Sequence, residues 1–512
     1  MSAIFEPSSS TAGVTVERVG VIDVGSNSVR LVVYRADGRV PILLFNEKVL
    51  CGLGRRVSTT GVLGPEAMAL ALATIRRFAA LAGEMGVARL DIVATAAVRD
   101  ATNGGELATE IQRRTGQLLR ILSGDEEARL AALGVLSAMP EADGLVGDLG
   151  GGSLEVVALG PNGIGDRTSL PIGPLQLMDA VSGDRRRART LVEDHLAKID
   201  WLTARPGADF IAVGGAWRAL AKMQMAAVNY PLAIVHNYCV DARVMRVFAE
   251  RVAGCDRETL RAMPAVTKKR IASLPLAALV LAAVIARTKV ARVVFSAYGL
   301  REGLLYAQLA PEVRARDPLL EECRAIAHGQ GRFRDHGDEL YDWIGPLFRG
   351  EPPRLARLRQ AACLLSDIAW RGRTDHRADL ALAQVLDSQF VGLDHAGLAL
   401  IALALYVCYG GGASSPKASV AASLLDKFGL TTARRIGLAL RLGQRLSGGT
   451  AGLLRRSALV DTEHMLMLRV DAGHDHLVGE VVRRRLKALG EAFAKPTHVE
   501  CSPRPTPTRV EA

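Results

Sequence analysis

Two rhythms of apolar residues organise the chain. Residues 19–24 (VGVIDV) and 29–34 (VRLVVY) are short β-branched runs separated by Gly25-Ser26-Asn27-Ser28, which predicts a β-hairpin with a tight polar turn. A helical rhythm follows over about 65–86, opened by Pro65 and stopped by Gly86. A strand is expected at 90–94, a helix at 105–116, a strand at 118–122, and a helix at 125–138 with acidic residues in its first turn. Then the opening pattern recurs. Residues 144–149 (GLVGDL) form a strand ending near Asp148, and the turn Gly150-Gly151-Gly152-Ser153 leads into a strand at 154–159. Asp23 and Asp148 lie about 125 residues apart, so this is a duplication on the scale of a domain, not a short solenoid repeat. A third glycine turn, Gly214-Gly215, follows a strand at 209–213 and opens a helix carrying Arg218 and Lys222.

Past residue 310 strand signals fade and Ala/Leu-rich helical patterns run to about 447. Short alternating runs return at 457–482, and a helix with Arg483-Arg484-Arg485 is expected to close the fold. These shifts divide the chain into a tail at 1–17, lobes at 18–138 and 139–309, a helical domain at 310–447, a small α+β segment at 448–495, and a tail at 496–512. Both tails are expected to be disordered, the second because it is rich in Pro and Thr. The apolar runs 274–286 and 396–408 fall short of the roughly 20 residues a membrane span requires, so both read as buried helices and no transmembrane segment is expected.

Composition adjusts this picture in three ways. A chain of 512 residues exceeds one hydrophobic core, and 49% apolar residues with only 4% aromatic ones imply cores of Ala, Leu and Val. The seven cysteines form no C-x-x-C pair and read as reduced thiols of a cytoplasmic protein, in keeping with a start that lacks the apolar core of a signal peptide. The net charge of +11 suits a polyanionic ligand. Specific nucleic-acid binding is not expected, because no recognition motif or aromatic stacking platform is visible.

The candidate chemistry sits at the two repeated turns. Successive backbone N–H groups in a glycine turn form an anion-binding nest, so Gly25–Ser28 and Gly150–Ser153 facing each other would grip a phosphate from both sides. A phosphate held there calls for a cation, and Mg²⁺ prefers carboxylate and water oxygens. Asp148 and Glu155 are the candidate metal acids, because the hairpin returns Glu155 towards the turn. Asp23 is a third candidate, with capping of turn N–H groups as the alternative. Of Glu126 and Glu127, one serves the helix dipole and the other is available as a general base; these residues alone do not choose between them. Arg99 suits phosphate oxygens, or else pairs with Asp100.

The stretches VIDVGSNSVRLVVY, ATAAVRDATN, SGDEEARLAALG, GDLGGGSLEVV, SLPIG, VGGAWRALAK and SAYGLREGLLY occur in this order. Together they resemble the exopolyphosphatase/guanosine pentaphosphate phosphatase family, densely over residues 18–306. The resemblance implies an α/β fold with two actin-like (ribonuclease H-like) lobes around a cleft, followed by a mainly helical domain related to HD metal phosphohydrolases and the small α+β segment. It implies that Glu127 activates water, that Gly25–Ser28 and Gly150–Ser153 are the phosphate loops, that Asp148 and Glu155 belong to the metal site, and that Arg99 contacts phosphate. The implied cofactor is Mg²⁺, with K⁺ as a possible monovalent companion, and a homodimer is expected. The implied substrate is inorganic polyphosphate, with guanosine pentaphosphate as the alternative and a non-catalytic polyphosphate or alarmone sensor as the second. Two departures stand out. Gly214-Gly215-Ala216 lacks the hydroxyl of the family's Gly-Gly-Thr, and Ser366-Asp367 stands where the HD pair would be.

Overall fold

The two β-branched runs pair as expected in the computed structural model of the chain, which describes residues 17–181, 183–332, 336–412 and 415–502. Strands β1 (Arg18–Val24) and β2 (Ser28–Arg35) form an antiparallel hairpin, extended by β3 (Ile42–Leu50). Helix α1 (Pro65–Glu84) carries the chain over the sheet to β4 (Arg89–Ala94), which lies parallel to β1, with β5 (Leu119–Ile121) beyond it. Helix α2 (Gly124–Ala138) then leads out of this first unit.

The second unit repeats the plan. Strands β6 (Gly144–Leu149), β7 (Leu154–Gly160) and β8 (Gly163–Leu170) form an antiparallel meander, and β9 (Asp209–Val213) lies parallel to β6. Helix α3 (Gly215–Ala227) follows β9, and β10 (Tyr238–Asp241), α4 (Leu274–Thr288) and β11 (Arg292–Phe295) complete the unit. The strand orders are β3-β2-β1-β4-β5 and β8-β7-β6-β9-β11-β10, so the first five positions match one for one. Apolar side chains cover both faces of each central strand, which is why β1 and β6 read as continuous runs.

A short helix, α5 (Leu300–Tyr306), runs back from the second unit and crosses α2. The crossing is backbone against backbone: a Cβ on Gly134 would collide with Gly299, and one on Gly303 with the Leu130 carbonyl. Only glycine allows these helices to meet so closely.

The apolar stretches near 274–286 and 396–408 are the buried helices α4 and α6 (His395–Cys408). Among the described residues no helix is long and apolar enough to cross a membrane. Helix α6 packs against α7 (Lys427–Ser447), and α7 against α8 (Glu480–Ala492), around one large apolar cluster.

The expected tail at 496–512 needs correction. Strand β14 (Thr497–Ser502) pairs parallel with β13 (Leu466–Asp471), which pairs antiparallel with β12 (Ser457–Asp461). Val499 packs against the helical core and the Leu466 N–H donates to the Pro496 carbonyl at 2.9 Å. Of the prolines that suggested disorder, Pro496 stands just before the strand and Pro503, Pro505 and Pro507 follow it. The rest of that tail, 503–512, and all of the expected N-terminal tail except Glu17 lie outside the described residues.

Candidate active site

The two glycine turns are built alike. The Gly25 N–H donates to the Ser28 carbonyl at 3.0 Å, and the Gly150 N–H to the Ser153 carbonyl at 3.0 Å. They also meet. A Cβ on Gly151 would lie 3.1 Å from Ser26 Cβ, and one on Gly152 3.0 Å from Ser26 Oγ. Behind them, Gly173 leaves no room for a side chain against the backbone of Gly151 and Gly152. The turns thus face one another across a cavity of about 510 Å³, lined by Gly25, Ser26, Asn27 and Ser28 on one side and Gly150 and Gly151 on the other. Gly152 is half-buried and Ser153 fully buried behind this lining.

Strand register explains which acids enter the cavity. Asp23 stands opposite Arg30 on β2, and Asp148 stands opposite Glu155 on β7. The duplicated hairpins therefore carry an acid–base pair in one unit and an acid–acid pair in the other. Asp23 is neutralised by Arg301, whose Nη1 lies 2.9 Å from its Oδ2. Asp148 has no hydrogen bond or ion pair among the described residues. Burial pushes its carboxyl up to about 6, against the pull of Arg218. Glu155 is buried and accepts from Ser169 Oγ at 2.7 Å; desolvation also raises its carboxyl.

The two glutamates at the start of α2 separate cleanly. Glu126 belongs to a capping box with Ser123 and pairs with Arg120 at the surface. Glu127 turns inward, is buried, and lines the cavity. Its Oε2 accepts from Arg99 Nη1 at 2.9 Å. Burial, followed by the Glu155 charge, holds its carboxyl well above the usual range despite that bond.

Arg99 sits differently from the expectation of a phosphate contact. Its guanidinium is divided among Glu127, Asp100 and the Leu122 carbonyl, and it is not among the residues lining the cavity. In this arrangement it touches the glutamate, not the space in front of it.

A divalent cation fits this donor set. Asp148 and Glu155 are neighbouring carboxylates with too little positive charge beside them, and Asp148 has spare acceptor capacity. Among the described residues no three His, Cys, Asp or Glu side chains converge tightly enough to enclose a metal. Mg²⁺ keeps several waters and shares substrate oxygens, so two carboxylates are enough protein ligands for it. Asp23, already neutralised by Arg301, fits least well of the three acids.

Several further residues belong to the site although the sequence assigned them no role there. Arg30 and Lys48 stand opposite each other on β2 and β3, and Arg301 enters from α5. Arg218 and Arg270 also line the cavity, with the Arg270 guanidinium lying against Gly215. Ser169, on β8, orients Glu155. Arg30 has a signal in hindsight, since it occupies the position that Glu155 holds in the second copy.

Away from the cleft, Ser366 and Asp367 are engaged by other side chains of the helical domain. Asp367 is held by Arg332 at 2.7 Å, and that guanidinium lies 3.6 Å from the centroid of the Trp370 ring. Ser366 accepts from Gln444 at 2.8 Å.

Comparison with known proteins places the chain among relatives. Residues 32–312 match the Ppx/GppA phosphatase family, and residues 319–498 match the family described as exopolyphosphatase, C-terminal. The chain is 30% identical over 313 residues to exopolyphosphatase 1 of Mycobacterium tuberculosis, covering 58% of this chain and 89% of that protein. The crystal structure of an exopolyphosphatase from Cytophaga hutchinsonii is 26% identical, with a TM-score of 0.52 over 57% of this chain and 97% of that one. A Ppx/GppA family member from Aquifex aeolicus matches at 24% identity and a TM-score of 0.50, a likeness of fold.

Proposed function

The chain belongs to the Ppx/GppA phosphatase family, and from that premise we propose that it is an exopolyphosphatase, releasing orthophosphate from the end of inorganic polyphosphate. That it hydrolyses phosphoanhydrides follows from its relatives; the choice of substrate is the proposal. One observation carries it. The catalytic cavity shares Arg30, Arg218, Arg270 and Arg301 with a second cavity of about 710 Å³, which adds Lys222. Of these cations and Lys48, the side chains of Lys48, Lys222 and Arg270 have no hydrogen-bond or ion-pair partner among the described residues. Burial, then the nearby Arg270 and Arg30 charges, pushes the Lys48 ammonium down to about 8. Like charges opposed on neighbouring strands are costly unless an anion sits between them. A bare chain of phosphates supplies that anion along the whole passage, whereas a nucleotide supplies it only in part.

The positions of the side chains support the following mechanism. The terminal phosphoryl group lies between the two glycine turns, whose N–H groups, with the Ser26 and Ser28 hydroxyls, hold its oxygens. Glu127 orients a water towards phosphorus and accepts its proton at a carboxylate oxygen. Arg99 is a positioning residue that fixes the Glu127 rotamer. Asp148 and Glu155 would hold Mg²⁺, which supplies charge neutralisation for the phosphoryl oxygens. Positioning and charge carry most of the rate in phosphoryl transfer, and the cleft provides both.

The test is orthophosphate release from long polyphosphate beside guanosine pentaphosphate and ATP, each with Mg²⁺. The reading expects the highest kcat/KM on polyphosphate. A higher value on guanosine pentaphosphate would move the assignment to that substrate, and tight binding without phosphate release would make the protein a sensor.

A further inference from the structure

A small cavity forms where the first unit, the end of α5 and the chain leading into the helical domain meet. It shares no lining residue with the catalytic cavity and meets the second one only at Pro41 and Glu302. Its volume is about 100 Å³, far below the roughly 300–1,000 Å³ of pockets for drug-sized ligands, so it admits only a small ion or molecule. Arg39 and Tyr306 line it, with Arg89, Gln308, Glu17 and Glu302, and the rest of the wall is mostly apolar.

Arg39 is the unusual member. It lies in the connection between β2 and β3 and is only 2% exposed, yet no carboxylate among the described residues bonds it. Its Nε donates to the Arg314 carbonyl at 3.2 Å, and its Nη2 is buried with no hydrogen-bond partner among the described residues. A second cation stands beside it. The guanidinium carbons of Arg39 and Arg314 lie 4.7 and 5.7 Å from the centroid of the same ring, Tyr306, and Arg314 Nε is also buried without a partner among the described residues. The ring attracts both cations but carries no net charge. Its hydroxyl has no hydrogen-bond partner among the described residues either.

The nearby acids are occupied elsewhere. Burial lowers the Arg39 guanidinium, against the pull of Tyr306, Asp317 and Glu321. Asp317 is taken by Arg357, and Glu321 by Arg316 and Arg324. In the wall itself, Glu302 accepts from the Tyr34 hydroxyl at 2.7 Å and the Gly299 N–H at 2.9 Å, and Glu17 is exposed. Arg89 and Gln308 both bond Asp91. A buried, charged N–H left unpaired costs more than a neutral one, because the charge has lost its water as well.

We propose that this cavity is a site for a single inorganic oxyanion, held by Arg39 Nη2 and the Tyr306 hydroxyl. Water would complete the hydrogen bonds, but only an anion also offsets the charge of two neighbouring guanidinium groups. Guanidinium N–H groups suit oxygen acceptors, which favours an oxyanion over a halide. Orthophosphate is the oxyanion that a phosphoanhydride hydrolase itself releases, so the cavity takes the product at a place outside the catalytic cleft. Bound there, it ties the first unit to the last residue of α5, the helix whose first turn sends Arg301 to Asp23. The site does not depend on which phosphoanhydride is the substrate.

The experiment uses the full chain, wild type and Arg39→Gln. Crystals are soaked in selenate, whose anomalous signal locates a tetrahedral oxyanion, and separately in bromide. Melting curves in Mg²⁺-free buffer at constant ionic strength follow Tm against orthophosphate, and against tripolyphosphate, which a cavity of about 100 Å³ is too small to admit. The expected result is a selenate peak within hydrogen-bond distance of Arg39 Nη2 in wild type and none there in the variant. Orthophosphate should raise the wild-type Tm by a few degrees more than that of Arg39→Gln, while tripolyphosphate shifts both equally. A cavity holding only water or protein atoms, a site that takes bromide and refuses selenate, or equal orthophosphate shifts in the two proteins would overturn the proposal. So would a selenate peak with no difference in solution, which marks binding at crystal concentration only. If Arg39→Gln melts early in anion-free buffer, Tyr306→Phe, which keeps the ring and removes the hydroxyl, is judged by the same criteria.

Discussion

Replacing Glu127 with glutamine removes one proton acceptor and leaves the surroundings nearly intact. The amide oxygen of glutamine still accepts from Arg99, which at present reaches Glu127 Oε2 at 2.9 Å. Arg99 also keeps its bonds to Asp100 and the Leu122 carbonyl. If Glu127 is the general base, its loss costs a factor of about 10²–10⁴, or about 3–5 kcal/mol of barrier. The fold should not suffer. Burial and the Glu155 charge raise the Glu127 carboxyl, so ionising it in the empty site works against the folded state. Glutamine never ionises, and in metal-free buffer at pH 8 the Tm should equal or exceed that of wild type. The same raised carboxyl fixes the pH profile. The base is available only above its own pKa, so wild-type kcat/KM should fall, on acidification, at a pH above that of an ordinary glutamate. The residual rate of Glu127→Gln should lack that limb. Initial rates of phosphate release over pH 5–9, with thermal melts of both proteins, provide the assay. A variant retaining more than a tenth of the wild-type rate with the same acidic limb would refute the assignment.

Other consequences can be measured independently. Gly173→Ala places a methyl against the backbone of Gly151 and Gly152, so it should displace the second turn, lower activity more than tenfold and cost about 1–3 kcal/mol of stability; wild-type kinetics would show that the turn need not be held from behind. Asp148 and Glu155 have raised carboxyls, so their contribution to stability is full below the unfolded values near 4 and is lost as pH rises through about 6 and 7. Mg²⁺ should therefore raise Tm more at pH 8 than at pH 5.5, and an equal rise at both would count against these acids as its ligands. Lys48→Met should raise the KM for polyphosphate and reduce its salt dependence by about one charge without lowering Tm, because the ammonium has no partner to lose; an unchanged KM would remove Lys48 from the passage. Arg332→Gln should destabilise the helical domain by about 3 kcal/mol, by leaving Asp367 short of its counter-charge, while phosphate release below the melting range stays normal.

The hairpins and their repetition were legible because central strands covered on both faces must be apolar throughout, and each ends in a turn only small residues can make. Among the strands that escaped reading, β3, β8, β10 and β14 are edges, while β11 lies inside its sheet between β9 and β10. Strand β3 exposes Ile42, Leu43 and Leu44, and β8 (GIGDRTSL) is nearly free of large apolar residues, so neither shows an inward alternation. Strand β14 was hidden by the prolines on either side of it. The choice between Glu126 and Glu127 was present in the chain all along. Ser123-x-x-Glu126 is a capping box, which occupies the first glutamate and releases the second. The partner of Asp23 was not readable, since Arg301 lies 278 residues away and reaches it only through the crossing of α2 and α5. Arg99 bonds its neighbour Asp100, as an isolated reading would have it, and its second bond, to Glu127, appears only when β4 and α2 are brought together.

The unequal twin hairpins give the cleft a direction. Where the first copy sets Arg30 across from Asp23, the second sets Glu155 across from Asp148, so a doubling of one ancestral ribbon has left a basic bank and an acidic bank on the same channel. A negatively charged strand threading between them feels a slope, drawn along one shore and halted at the other until a cation bridges the gap. If the substrate is a chain of phosphates, as proposed, that slope favours its arrival tip first.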